Sequence, residues 1–316
     1  MPEGNLDAAG PLVGILVLNY GQPEATLACI ESLLAVEPPT SRILWIENPT
    51  GREGTPLESF LDQATFPWRR IDPAGTALPY SGEVGVLLNP GNLGYGGGNN
   101  VGLRLLHRAG VPFAWVINND SLLLDGTSDQ LREAAAAEPA IGAWGMRVLG
   151  SGGAVQACQV LSTRDFASAP APEPGDLAGD PLRYLSGCSL FCWTEAAAAV
   201  GFIPEEYFLY YEDAAFCLEL RRKGFGLGFC PEVAVRHEES LASGRRSPVV
   251  EYYTRRNRWT LLERYFPGHL PAQKRLLLYR LQKYLLRGDR LRLRMEWRGW
   301  RDWRRGIRGR VPLETD

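Results

Sequence analysis

The pair Glu212-Asp213 heads the stretch EDAAFCLELRRK, which ends in three cations and is followed by Gly224. Acids at the start, bases at the end and a glycine just beyond are the marks of a helix that complements its own dipole. On that helix Asp213, Phe216, Cys217 and Leu220 fall at i, i+3, i+4 and i+7, so Asp213 shares the inward apolar stripe. A carboxylate on the buried side of a helix start is a candidate general base. Glu212 lies on a neighbouring face and is the secondary candidate. Helix dipoles alone also select two acids at this position, and the spacing does not separate the two roles.

A second carboxylate closes an apolar run at residues 113–117, where Asn118-Asn119-Asp120 follows. One carboxylate among amides at a strand edge can hold a hard divalent cation and leave positions open for diphosphate oxygens and water. The same tripeptide also suits an ordinary turn or cap. Of His107, His237 and His269, only His237 ends an alternating strand-like run, after Val233 and Val235. Its imidazole could complete a metal site with Asp120, or be a satisfied residue at the edge of the core. The glycine-rich run NPGNLGYGGGNN at 89–100 opens a helix. Glycines let backbone amides approach a ligand, and helix starts attract anions. The run lacks the dinucleotide G-x-G-x-x-G register and a P-loop Gly-Lys, so a phosphate-side loop and a flexible turn both remain open.

The elements that would position these groups alternate. Residues 13–18 (VGILVL) form a short apolar run bounded by Asn19-Tyr20-Gly21, as expected of a strand buried on both faces. A helix follows, with Pro23 and Glu24 in its first turn and Leu27, Ile30, Leu33 and Leu34 as its stripe. Strand-like runs recur at 42–47, 84–88 and 113–117, with a helix expected over 99–108. This alternation predicts an α/β protein with one mostly parallel sheet, whose ligands bind beyond the carboxyl ends of the strands. Tyr20, Glu47 and Asp120 fall at three such ends. The Ala-, Pro- and Gly-rich residues 149–183 read as a long surface excursion, and Thr194 as the cap of a short helix that Gly201 stops.

Composition sets the outer limits. With 316 residues and 45% hydrophobic content, the chain can bury one large core, or one core plus a smaller appendage. Its six cysteines lie in apolar surroundings with no C-x-x-C pair, which reads as reduced core thiols in a cytoplasmic protein. Residues 1–10 lack the basic and apolar blocks of a signal peptide, and no run is long and apolar enough to span a bilayer. The net charge of −2 conceals an asymmetry: residues 236–316 carry 21 Lys and Arg against 9 Asp and Glu, a balance of +12, and the remainder carries −14. Such a tail suits an anionic membrane surface, an anionic substrate or nucleic acid.

Taken in order, these pieces resemble the glycosyltransferase family 2 proteins, especially the bacterial rhamnosyltransferase-like branch. The matching segments are VGILVLNYGQPE, WIENPT, NPGNLGYGGGNNVG, WVINND, GFIPEEYFLYYEDAAFCLELRRKG and PEVAVRH, spread over about residues 12–240. The resemblance implies a GT-A fold, a Rossmann-like nucleotide half joined to an acceptor half, over residues 1–240, with a basic helical extension over 241–316. It implies an inverting transfer of a sugar from a UDP- or dTDP-type donor to a saccharide, lipid-linked or small-molecule acceptor, in bacterial polysaccharide, glycolipid or glycoconjugate synthesis. By the same resemblance, Leu18, Tyr20, Glu47, Asn92, Gly94, Asn99, Asn119 and Asp120 would hold the nucleotide sugar. Asp120 and His237 would hold Mg2+ or Mn2+, and Asp213, with Glu212 beside it, would take the acceptor proton. Asn118 stands where many relatives carry an acid, and Glu47 where Asp is commoner.

Beyond Pro267 the chain packs leucines and tryptophans among arginines. Such helices could lie peripherally on the inner face of the membrane, pack on the catalytic part, or form a homodimer contact. No recognised nucleic-acid module accompanies the charge, so nucleic acid is not expected as a partner. Two other readings compete. A sugar-nucleotide nucleotidylyltransferase would carry basic residues straight after the first strand, where this chain has none before Arg42. A non-catalytic nucleotide- or glycan-binding scaffold would not need Asp120, Asp213 and His237 together.

Overall fold

The computed structural model describes residues 13–51, 57–150, 153–237 and 247–313. The acidic start at 1–10 and the boundary at 240/241 lie outside the described residues. The chain begins with β1 (Val13–Asn19), α1 (Pro23–Leu34), β2 (Ser41–Glu47), α2 (Leu57–Leu61), β3 (Trp68–Arg70), β4 (Val84–Leu88) and α3 (Gly94–Arg108). It continues through β5 (Phe113–Asn118), β6 (Ser121–Asp125), α4 (Ser128–Ala137), β7 (Ile141–Gly150), β8 (Val155–Gln156), β9 (Cys158–Leu161), β10 (Ser168–Ala171) and β11 (Arg183–Tyr184). Then come β12 (Ser189–Trp193), α5 (Thr194–Ala199), α6 (Glu212–Arg222), β13 (Gly226–His237), α7 (Pro248–Tyr265), α8 (Leu270–Leu286) and α9 (Arg290–Arg304).

The main sheet runs β3-β4-β2-β1-β5-β12-β7-β13-β6, with β8 added to β7. From β3 to β5 every pairing is parallel, and β12 enters antiparallel to both β5 and β7. The apolar run of β1 feeds two cores: Ile15 and Val17 point to one face, Leu16 to the other. That explains why the strand reads as continuously hydrophobic rather than alternating.

Register then sets the functional geometry. Asn19 of β1 pairs Glu47 of β2, and Leu18 pairs Asn118 of β5, so three carboxyl ends are level. His237 at the end of β13 pairs Ser121, the first residue of β6, which brings the imidazole beside Asp120.

Three expectations change. The helix expected from Asn99 starts at Gly94, so most of the glycine run is helical. Its glycines are required by close packing: a Cβ on Gly98 would meet Leu18 Cδ1 at 2.7 Å and Asn48 Nδ2 at 2.9 Å, and Gly94, at φ +75°, lies against the Phe208 carbonyl. The segment read as a surface excursion forms the small sheet β10-β9-β11 and buries Cys158, Leu161, Phe166, Leu177 and Tyr184 in the main core. Single apolar residues among Pro and Gly hid that burial from periodicity. Thr194 opens α5 without capping it, because its hydroxyl donates to the Val111 carbonyl instead.

All six cysteines are free and buried, and burial pushes Cys192 and Cys217 up to about 12, which makes them inert thiols. The C-terminal helices share the main core: Trp259, Leu261, Leu262, Leu277 and Trp303 cluster with residues of the sheet's own helices. Among the described residues no helix is long and apolar enough to cross a membrane.

Candidate active site

The carboxyl ends of the strands are tied together by amide side chains. Asn19 is buried and central: its Nδ2 donates to Glu47 Oε2 at 2.7 Å, while its Oδ1 accepts from the Gln22 amide, Thr26 Oγ1 and Asn119 Nδ2. Glu47, also bonded by Trp45 Nε1 at 2.9 Å, is only 8% exposed. Burial raises its carboxyl above the usual range despite these bonds. Glu47 therefore sits beneath the crevice floor and orients Asn19, rather than facing a ligand as the sequence suggested. Asn99 departs in the same way: it is fully buried, its Nδ2 bonded within the helix to the Tyr95 carbonyl. Leu18, Tyr20, Asn92, Gly94, Asn119 and Asp120 do line the crevice. Asn48 joins them, its Oδ1 accepting from Asn89 Nδ2 and its Nδ2 donating to the Gly94 carbonyl.

At the next edge, His237 Nε2 lies 3.1 Å from Asp120 Oδ1 and 3.5 Å from Asn118 Nδ2. Asp120 Oδ1 is buried yet has no well-aligned hydrogen bond. Burial lowers the His237 pKa, but Asp120 and Cys188 outweigh it and push the ring up to about 10. The surroundings thus favour positive charge, and an orphaned carboxylate oxygen beside an imidazole suits a divalent cation. Among the described residues no three His, Cys, Asp or Glu converge on such a point. The protein would therefore supply two ligands and leave the others to the bound molecule or water.

The third group faces the same space. Asp213 Oδ2 accepts from the Gly187 amide at 3.1 Å and Oδ1 from the Ala214 amide at 2.8 Å. The next residue, Cys188, contacts Ser121 Oγ at 3.5 Å, beside Asp120. Tyr95 donates its hydroxyl to the Gly187 carbonyl, and the charges of Glu212, Asp213 and Asp120 all bear on that phenol. Residues 187–188 thus join the acidic helix start to the Asp120–His237 edge. Burial first, and the Asp213 charge second, raises Glu212 far above the usual carboxylate range. Burial raises Asp213 too, opposed by the two backbone donors. Burial thus raises both neighbouring carboxyls, Glu212 further than Asp213, whose backbone donors favour its charged form.

The loop before α6 is strained. Phe208, Tyr210 and Tyr211 have φ of 65°, 68° and 71°, a left-handed conformation that side chains disfavour. What holds it is α7. Asn257 Nδ2 reaches the carbonyls of Tyr207, Leu209 and Tyr210 at 2.8, 2.7 and 2.8 Å. Arg256 Nη2 donates to the Tyr207 carbonyl at 2.9 Å and to Asn257 Oδ1 at 2.8 Å. Both side chains are fully buried.

Asn48, Asn92, Asn119, Asp120, His237, Glu212 and Asp213 line one cavity of about 1330 Å³. That exceeds the roughly 300–1,000 Å³ of an ordinary small-molecule pocket, so there is room for two reactants. Sequence reasoning found Leu18, Tyr20, Asn92, Gly94, Asn119, Asp120, Glu212, Asp213 and His237, all of which border it. It missed Asn19, Tyr95 and the Arg256-Asn257 pair. Asn19 was signalled by its place at a strand end beside Tyr20; the other three had no signal, because their partners lie far away in the chain.

No family model matches the chain. One curated relative, the low-salt glycan biosynthesis hexosyltransferase Agl10 of Haloferax volcanii, is 26% identical over 185 residues, 56% of this chain and 59% of that protein. The match therefore spans under two thirds of that relative's length. Among solved structures, GalNAc-T7 with UDP, GalNAc and Mn2+ superposes with a TM-score of 0.59 at 13% identity, covering 85% of this chain and 52% of that one. The mannosyltransferase PcManGT of Pyrobaculum calidifontis, in complex with GDP-Man and Mn2+, gives 0.52 at 13% identity, covering 95% and 86%. The mostly parallel sheet with its flanking helices is the GT-A fold.

Proposed function

We propose that this chain is an inverting, metal-dependent glycosyltransferase that moves a sugar from a UDP- or dTDP-type donor to an acceptor hydroxyl, akin to the rhamnosyltransferase-like branch of family 2. The observation that carries the reading is the convergence of Asp120, His237 and Asp213 on one crevice, linked through residues 187–188. The similarity to a hexosyltransferase, and a fold shared with structures holding UDP or GDP-Man and Mn2+, supports it.

In this mechanism Leu18, Tyr20, Asn48, Asn92 and Asn119 border the space for the nucleoside at the strand ends. Asp120 and His237 would hold the Mg2+ or Mn2+, and such an ion would supply charge neutralisation to a departing diphosphate. Asp213 accepts the proton from the acceptor hydroxyl as that oxygen bonds to the sugar carbon and the bond to the diphosphate breaks. One displacement of this kind inverts the carbon and needs no covalent nucleophile. Burial disfavours the charged form of Glu212 next to the base. We assign residues 1–240 to catalysis and 241–316 to an extension, of which α7, α8 and α9 border the far side of the crevice.

The setting we favour is synthesis of a polysaccharide or glycoconjugate on the cytoplasmic face of a membrane. Its support is the outer surface of α8, where Leu278, Leu285 and Leu286 are exposed among basic residues.

The test is incubation with Mn2+ and a panel of UDP-, dTDP- and GDP-sugars while nucleotide release is followed. Release that depends on metal and falls at least a hundredfold in Asp213→Asn is the expected result. Equal release by Asp213→Asn removes the base assignment, and no binding of any donor turns the reading to a scaffold.

A further inference from the structure

The crevice has a second charged region that the mechanism above does not use. On the wall built by the C-terminal helices, Arg255 and Arg258 of α7, Arg280 of α8 and Arg292 of α9 all border the cavity. They surround two buried acids. Glu296, 1% exposed, receives Arg255 Nε at 3.0 Å, Arg258 Nη2 at 2.9 Å and Arg280 Nη1 at 3.4 Å. Glu251 is shared by Arg255 and by Arg292 Nε at 3.2 Å. On the rim, Asp165 stands 3.8 Å from Arg280, and outside it Asp289 lies 3.6 Å from Arg292.

Four guanidiniums thus meet two buried carboxylates and two more exposed ones, and Arg280 also donates to Gln273 Oε1 at 3.3 Å. A carboxylate has about four acceptor positions, whereas each guanidinium has five donors, so donors remain in excess. Arg258 states this most clearly: its side chain is 9% exposed, it borders the cavity, and its Nε is buried with no hydrogen-bond partner. Crowding acts in the same direction, since burial and then the Arg258 charge lower the Arg280 guanidinium below its usual range. The first turn of α7, with Ser247, Pro248 and Val249, opens onto the same wall and adds the positive end of an 18-residue helix.

We infer that this wall is an oxyanion site for the acceptor: Arg255, Arg258, Arg280 and Arg292 bind a phosphate or diphosphate carried by the acceptor, opposite the Asp120–His237 edge. The assignment as acceptor site rests on the glycosyltransferase reading. Forked guanidiniums match phosphate oxygens bidentately, and their placement within one crevice would hold a phosphorylated acceptor with its hydroxyl toward Asp213. Two sources carry this chemistry, a soluble sugar phosphate and a lipid-linked diphosphate.

The experiment uses the full chain in excess chelator, so that no metal draws an anion to Asp120. Binding of inorganic pyrophosphate, glucose 1-phosphate and farnesyl diphosphate is measured by calorimetry on the parent, Arg258→Gln, Arg292→Gln and Asp120→Asn chains. Arg292 is the most exposed of the four, so its variant keeps the test open should Arg258→Gln fail to fold. At least one phosphate probe is expected to bind the parent and Asp120→Asn alike and to weaken tenfold or more in the arginine variants. Tighter farnesyl diphosphate assigns a lipid carrier, and equal or tighter glucose 1-phosphate a soluble one. Absence of binding by all three probes, or binding that survives both arginine changes and is lost with Asp120→Asn, overturns the inference. Mn2+-dependent UDP binding, read on the same chains, separates the two ideas. UDP binding without oxyanion binding sinks this site alone, and arginine-dependent oxyanion binding without any nucleotide sinks the glycosyltransferase reading alone.

Discussion

Replacing Asn257 by Ala should damage turnover far more than donor binding, although Asn257 touches neither reactant in the proposed mechanism. The left-handed residues Phe208, Tyr210 and Tyr211 each cost about 1–2 kcal/mol, together roughly 3–6 kcal/mol of strain. Against it stands the Asn257 amide, whose two hydrogens are shared among three carbonyls at 2.7–2.8 Å, and whose oxygen holds Arg256. Two net bonds are worth about 1 kcal/mol each, and a buried carbonyl left without a donor adds about 1–3 kcal/mol. Truncation should therefore remove roughly 3–5 kcal/mol, comparable to the strain itself, and let the loop relax. Asp213 lies two residues beyond Tyr211, so its carboxylate moves with the loop. A displacement of about 1 Å is enough for a hundredfold loss of rate. Asn19, Asn48 and Asn119 hang on the strand ends and stay in place. The assay is steady-state nucleotide release with Mn2+, with thermal melts alongside. The expected result is a kcat lower by about a hundredfold and a donor KM within a few-fold. At about 2–4 °C per kcal/mol, the melt should fall by roughly 6–20 °C. Asn257→Asp, which keeps the acceptor for Arg256 but turns the donor into an acceptor, should behave like Ala. A melt within a degree or two of the parent together with unchanged kcat would show that the clamp is ornamental and the reasoning wrong.

The titration of the acidic pair gives a second prediction. Both carboxyls are raised in the folded chain, so nucleotide release should climb with pH through an apparent pKa above the ordinary carboxylate range, and Asp213→Asn should flatten that profile. For stability, a raised folded pKa means that the Glu212 contribution is full below its unfolded value and lost as pH rises through the folded one. Glu212→Gln should therefore melt above the parent at pH near 8 and converge with it near pH 4, and a parallel offset at both pH values would contradict this. Asp120→Asn should weaken Mn2+-dependent UDP binding at least tenfold, about 1.4 kcal/mol; calorimetry at matched Mn2+ decides it. Leu285→Ser with Leu286→Ser should reduce sedimentation with phosphatidylcholine–phosphatidylserine vesicles and leave it unaffected with phosphatidylcholine alone, whereas equal sedimentation would detach α8 from any membrane role.

What the sequence made legible follows from how local each signal was. The strands read clearly because burial on both faces leaves an unbroken apolar run, as in 13–18. That Asp120, Asp213 and His237 border one crevice is legible because each ends or begins a regular element, and α/β sheets gather such ends together. Glu47 departs for the same reason: a strand end reads as facing the ligand, but its oxygen is claimed by Asn19 and Trp45, and its neighbour Asn48 faces the cavity. Asn99 misled because the helix begins five residues earlier than its glycines suggested, which turns that side chain inward.

The tail shows the limit most sharply. Its charge balance of +12 suggested a basic object facing a partner, yet many of its arginines are spent inside the molecule. Arg298 and Arg301 pair with the buried Asp302, and Arg256 reaches back to the carbonyls of residues 206 and 207. Charge counted along a chain cannot tell a paired guanidinium from a ligand-seeking one; that distinction depends on which helices cross. In this protein the crossing of α7, α8 and α9 does two things at once. It props the strained loop that delivers Asp213, and it lines the opposite wall with donors that outnumber their acceptors. If both hold, cutting the chain before α7 should abolish turnover even where Asp120 and His237 remain able to bind metal and nucleotide.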